Sequence, residues 1–121
     1  MKLPNYVYFG EGTAADTGTA QMYPAENFVG IDSASSTTAK LYFKPVVNLA
    51  ANATDGDNND EVLVTFPNTG TTGNLNFQQI CEIISGAMRG NISGSMTVIA
   101  DELNGNYISP LEGVVEITPG G

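Results

Sequence analysis

No histidine and no tryptophan occur in this 121-residue chain, cysteine occurs once, and four basic residues stand against thirteen acidic ones. The lack of histidine removes most of the usual catalytic equipment, because that side chain most often moves protons near neutral pH. The single Cys81 excludes an intramolecular disulfide framework and a cysteine-based zinc cluster, and its place on a helix face reads as core. The cations Lys2, Lys40, Lys44 and Arg89 are scattered among the carboxylates, whereas a phosphate-binding surface needs them concentrated. Nucleic acid is therefore not an expected partner. Nor is a membrane: the 41% apolar content comes in short runs, and none approaches the roughly 20 residues that span a bilayer. Residues 1–9 contain Pro4 and lack both a clustered basic start and a long apolar centre, so they do not read as a signal peptide and synthesis in the cytoplasm is expected. The formal net charge of −9 is most simply a solubility device, with a basic partner surface as the sharper alternative.

What is present is a series of short β-prone runs punctuated by turn residues. Tyr6-Val7-Tyr8-Phe9 predicts a first strand, closed by Gly10-Glu11-Gly12, and residues 13–20 are too poor in apolar side chains to pack, which makes them a loop or arm. Short strands are predicted at residues 20–23 and 28–31. Residues 37–43 alternate, with Ala39, Leu41 and Phe43 on one side and Lys40, Tyr42 and Lys44 on the other, the pattern of a half-buried strand. After Pro45, the apolar run 46–50 leads into a polar, acidic loop at 52–60. Residues 61–66 resume the alternation with Val62, Val64 and Phe66 inward, and Pro67-Asn68-Thr69-Gly70 turns the chain.

One helix is well specified. Phe77, Ile80, Cys81, Ile84, Ala87 and Met88 form a single apolar stripe, while Gln78, Gln79, Glu82 and Ser85 take the opposite side. Asn76 is the expected N-cap, with Gln79 three residues on. Arg89 suits the last turn and Gly90 the C′ position. Further strands are predicted at 96–100, at 107–108 after an Asn104-Gly105 turn, and at 114–117. One domain that is mainly β with one α-helix follows: an α+β fold, either a twisted antiparallel sheet or a small open β-barrel with the helix packed across it.

Few residues suggest chemistry. Asp55, Asp57, Asn59 and Asp60 are spaced as oxygen ligands for a low-affinity calcium ion. An EF-hand loop from Asp55 would place glycine and glutamate where Asp60 and Phe66 stand, so the competing reading is a solvated turn. Asp101 and Glu102 are adjacent at a strand end, where they point apart and read as an exposed pair rather than the acids of a hydrolase. The glycines at 10–12 and 70–73 lack the lysine of a phosphate loop and read as turns.

The run Met22-Tyr23-Pro24-Ala25-Glu26-Asn27-Phe28-Val29-Gly30-Ile31, followed by residues 37–43, resembles the opening strands of small virion-associated proteins of marine tailed bacteriophages. In that group a hairpin is followed by another strand and a single helix, which 61–66 and 77–88 match here. The resemblance implies a capsid decoration or cement protein, or another head or tail component, located in the virion after synthesis in the host cytoplasm. The acidic loop and the 13–20 arm depart from the compact members of the group.

The expected function is accordingly non-enzymatic and structural, with no cofactor beyond the possible calcium and with other virion proteins, such as a major capsid protein, as partners. A multi-copy or homo-oligomeric state is expected. Tyr6, Tyr8, Tyr23, Tyr42 and Tyr107 are the candidate interface anchors, aromatic side chains of the kind enriched in protein contacts. The arms at 1–4, 13–20 and 118–121 are candidates for lapping onto neighbours. An Sm-like barrel module and a carboxylate-dependent hydrolase are the alternatives.

Overall fold

A computed structural model of the chain describes residues 5–12, 19–45, 59–70, 72–89 and 96–118. Asp55, Asp57, the run 46–50, Gly90 and the arm residues 1–4, 13–18 and 119–121 lie outside the described residues. The elements run β1 (Tyr6–Glu11), β2 (Thr19–Pro24), a 3₁₀ turn (Ala25–Asn27), β3 (Phe28–Ser33), β4 (Thr38–Phe43), β5 (Asp60–Thr65), α1 (Phe77–Arg89), β6 (Met96–Asp101), β7 (Asn106–Tyr107) and β8 (Glu116–Thr118). The fold is mainly β with a single α-helix among the described residues.

The strands form two sheets, and these do not close into a barrel. Sheet A has the order β2-β1-β6-β7 and sheet B the order β3-β4-β5-β8. Each predicted strand has its counterpart, but the expected single sheet is divided, and one pairing departs from the antiparallel rule: β1 and β6 run parallel. Two parallel strands need a long connection. Here the chain between them passes through sheet B and α1 before returning beside β1.

The inner faces meet in one core. Val7, Phe9 and Tyr23 from sheet A are fully buried against Ala39, Leu41, Phe43, Val62 and Val64 from sheet B. Tyr23 stacks on Phe43 with ring centroids 4.4 Å apart, and Phe9 meets Phe43 edge-on at 5.5 Å. The period-two pattern of β4 and β5 is what makes this possible, since alternate side chains point to one face. The helix adds Ile80, Ile84 and Met88 to the same core, three members of its predicted stripe. Phe77, Cys81 and Ala87 are half-buried. Its start is the expected reciprocal cap: Gln79 N–H donates to Asn76 Oδ1 at 2.9 Å, and Asn76 N–H donates to Gln79 Oε1 at 2.9 Å.

Two expectations need correcting at the start of the chain. Gly10 and Glu11 do not turn the chain but continue β1, and Thr19, expected in an arm, joins the strand predicted at 20–23. The glycines serve a close approach instead. A Cβ at Gly10 would stand 2.1 Å from Asp101 Oδ1, and one at Gly12 would stand 3.2 Å from the backbone of Leu103. The missing side chain at Gly10 thus lets the end of β1 press against Asp101, and a Cβ at Gly12 would crowd the turn that follows β6.

Candidate interaction face

The alternation that buries Val7 and Phe9 turns Tyr6 and Tyr8 to the opposite, outer face of sheet A. Register carries the same face across three strands. Tyr8 lies between Met22 on β2 and Val98 on β6, and Tyr6 between Pro24 and Met96. A bulge in β6 follows Val98, so Ile99 and Ala100 both turn into the core. Met22 and Met96 are 40% and 51% exposed, Tyr6, Tyr8 and Val98 are half-buried, and none of the five belongs to the core or to its packed rim. No charged side chain interrupts these two rows. The first carboxylate along the face is Asp101 beside Gly10, and it is only 2% exposed.

The outer face of sheet B is built differently. Its rows are Asp32–Lys40–Leu63–Glu116 and Gly30–Tyr42–Glu61–Thr118. Lys40 Nζ lies 3.4 Å from Glu61 Oε1. This is a solvated surface of cross-strand charges, an arrangement that stabilises a sheet modestly without needing a partner.

The five candidate tyrosines therefore separate. Tyr6 and Tyr8 share the outer face of sheet A, and Tyr42 lies alone on that of sheet B. Tyr107 is half-buried on β7, where its hydroxyl donates to Gly113 O at 2.7 Å. Burial raises the pKa of that phenol, and the charges of Glu102 and Asp101 add to the effect. Tyr23 is not an interface anchor but a core residue, fully buried on Phe43, with its hydroxyl donating to Asp60 Oδ2 at 2.8 Å. Burial, then the hydrogen bond and charge of Asp60, hold its phenol well above the ordinary tyrosine range. Asp60 thus anchors Tyr23 and begins β5, with Asn59 beside it.

The acids near the turn are structural too. Asp101 reads from the sequence as exposed but is buried, because its carboxylate closes the turn: Oδ1 accepts from Asn104 N–H at 3.1 Å and Oδ2 from Asn104 Nδ2 at 2.8 Å. Gly105 completes that turn at φ 75°, in the region that favours glycine. Glu102 turns elsewhere, its Oε1 accepting from Gly12 N–H at 3.3 Å and Val115 N–H at 3.1 Å. Glu11 Oε1 accepts a long bond from Ile117 N–H at 3.5 Å. These carboxylates tie β1, the turn after β6 and the approach to β8 together by holding backbone N–H groups. Among the described residues no three His, Cys, Asp or Glu side chains gather as a metal site, and no helix is long and apolar enough to cross a membrane. Cys81 is half-buried on α1, where burial raises its thiol pKa.

No local signal in the sequence places Met22, Val98 and Met96 on one face with Tyr6 and Tyr8. The alternation within β1 was legible, but the strands that flank it were not, because β6 joins from about ninety positions away. No family model, curated protein or solved structure matches the chain.

Proposed function

We propose that the protein is a non-enzymatic virion structural protein of the capsid decoration or cement kind, working through contacts with other virion proteins such as a major capsid protein. The observation that carries the contact reading is the uncharged outer face of sheet A, where Tyr6, Tyr8, Met22, Val98 and Met96 form two adjoining rows. Tyrosine and methionine are enriched where proteins meet, and apolar area gains about 25 cal/mol per Å² when it leaves water. Such a face in a chain of net charge −9 is suited to a partner chosen by shape and burial rather than by charge. The carboxylates a hydrolase would use are engaged by backbone and amide donors on separate segments, which favours a structural role over the hydrolase. Two open sheets likewise take support from the barrel-module alternative.

The assignment to a virion rests on the resemblance carried by residues 22–31, 37–43, 61–66 and 77–88, and the scarcity of basic residues is consistent with partners that are neither nucleic acid nor membrane. Mass spectrometry of purified virions from the source of the chain tests it. A high-copy match is the expected result, and absence of the chain from the particles overturns the virion reading.

A further inference from the structure

A sheet edge exposes backbone N–H and C=O groups that can pair with another chain, and proteins blunt such edges with short strands, bulges or charges. Among the described residues, three of the four edge strands are blunted in those ways. β7 has two residues and β8 three, with Glu116 at the start of β8, and β3 is bulged at Val29 and carries Asp32. β2 is different: its six residues, TAQMYP, include no charge, and its pairing with β1 shows no register shift. Pro24 stands only at its last position.

The ladder also shows which groups of β2 face outward. Ala25 N–H donates to Asn5 O at 2.7 Å, so the hydrogen-bonded positions facing β1 continue through Tyr23 and Gln21. The N–H and C=O groups of Ala20 and Met22 then point away from β1, to the side where no described strand pairs. Met22 O already takes a hydrogen bond from the Gln21 side chain at 3.1 Å, a local substitute for a partner strand. Both residues are exposed, and both project onto the outer face that Tyr8 shares.

We infer that β2 pairs antiparallel with β2 of a second copy, joining two A sheets and their uncharged outer faces into one continuous surface. Charge selects the edge, and self-complementarity the occupant. A copy of a chain with net charge −9 meets like charge along the β3 and β8 edges, through Asp32 and Glu116, but not along β2. A basic partner would be drawn toward the acid-bearing edges instead. Antiparallel pairing about a two-fold axis is self-complementary, and in the register centred on Gln21 the small Ala20 stands opposite Met22 of the second copy, with N–H to C=O bonds in both directions. The inference deepens the reading of the protein as a contact protein by naming one of its partners.

The test uses the full chain, free of any particle, in sedimentation velocity and native mass spectrometry over a concentration series. Concentration-dependent dimers with slowed amide exchange at Ala20 and Met22 are expected. Met22→Pro removes an outward N–H without touching the β1 ladder, and Met22→Lys keeps the N–H but adds the charge that blunts an edge. Each should weaken the dimer by about tenfold or more, with thermal melting showing that the fold is retained; if Met22→Pro does not fold, Met22→Lys decides. Val29→Lys on the β3 edge should leave the dimer unchanged. A chain that stays monomeric at every concentration overturns the inference, as does a dimer weakened by Val29→Lys and indifferent to Met22→Lys. Either result leaves the virion reading standing, because that reading is tested separately by the particle composition.

Discussion

The two sheets hide their inner faces in the same way and treat their outer faces in opposite ways. Sheet B sets Asp32, Lys40, Glu61 and Glu116 across β3, β4, β5 and β8, so each strand places charge in water. Sheet A sets Tyr6, Tyr8, Met22, Val98 and Met96 in the corresponding place. Folding alone does not call for the difference, since alternation satisfies the core with any polar residue outside. A surface left uncharged by β1, β2 and the sequence-distant β6 is, on the proposed reading, kept for a second burial in a complex. On the reading proposed above, sheet B is finished by folding and sheet A by contact.

The largest effect should come from breaking what the sheets share. Phe43 touches Phe9, Tyr23 and Phe28, so Phe43→Ala should cost about 3–5 kcal/mol in denaturant unfolding and melt both sheets in one transition. Two separate transitions, or a loss below about 1 kcal/mol, would mean that the sheets do not depend on a common core.

A pair of glycine substitutions sharpens the contrast next. Gly10→Ala on sheet A drives a methyl into the Asp101 carboxylate and should destabilise by about 1–3 kcal/mol. Gly30→Ala on sheet B meets open space, and should be neutral or stabilising by about 0.5–1 kcal/mol because glycine is unfavourable within a strand. Equal effects in thermal denaturation would remove the argument that Gly10 exists for the close approach.

A smaller effect lies in pH. The phenol of Tyr23 is held neutral in the folded protein, first by burial and then by Asp60, so its folded pKa is above the unfolded value of 10.0. The stability it contributes is complete below that value and is lost as pH rises above it, by up to about 1.4 kcal/mol per pH unit. Tyr23→Phe should flatten the fall in stability above pH 10 relative to the unsubstituted chain. Parallel alkaline profiles for the two proteins would show that the Tyr23 hydroxyl is free to ionise without unfolding.

Much of this was legible in the sequence, and what was hidden was non-local. Ala39, Leu41 and Phe43, or Val62, Val64 and Phe66, announce their buried side by period two, and Asn76 with Gln79 announces the helix start, because these signals lie within a few residues. The pairing of β1 with β6 carries no local mark, and without it Met96 and Val98 cannot be placed beside Tyr6 and Tyr8. Tyr23 misled for a related reason. Alternation along a six-residue strand shows that one set faces inward, but not which set, and Asp60 supplies the hydroxyl partner from 37 positions away. Gly10 and Gly12 carry the composition of a turn, yet their place is set by the Asp101 carboxylate and by the backbone of residues 102–103.

The claim that the outer face of sheet A makes the contact is tested most directly by one matched pair of charges. Tyr8→Glu and Tyr42→Glu place the same carboxylate on the outer faces of sheets A and B, and both proteins can be measured for retention on particles that carry the unsubstituted chain. Tyr8→Glu should weaken particle binding by at least about tenfold, or 1.4 kcal/mol, while Tyr42→Glu binds as the unsubstituted protein does and both melt near its temperature. Full binding by Tyr8→Glu, with loss confined to Tyr42→Glu, would contradict the account and place the contact on sheet B.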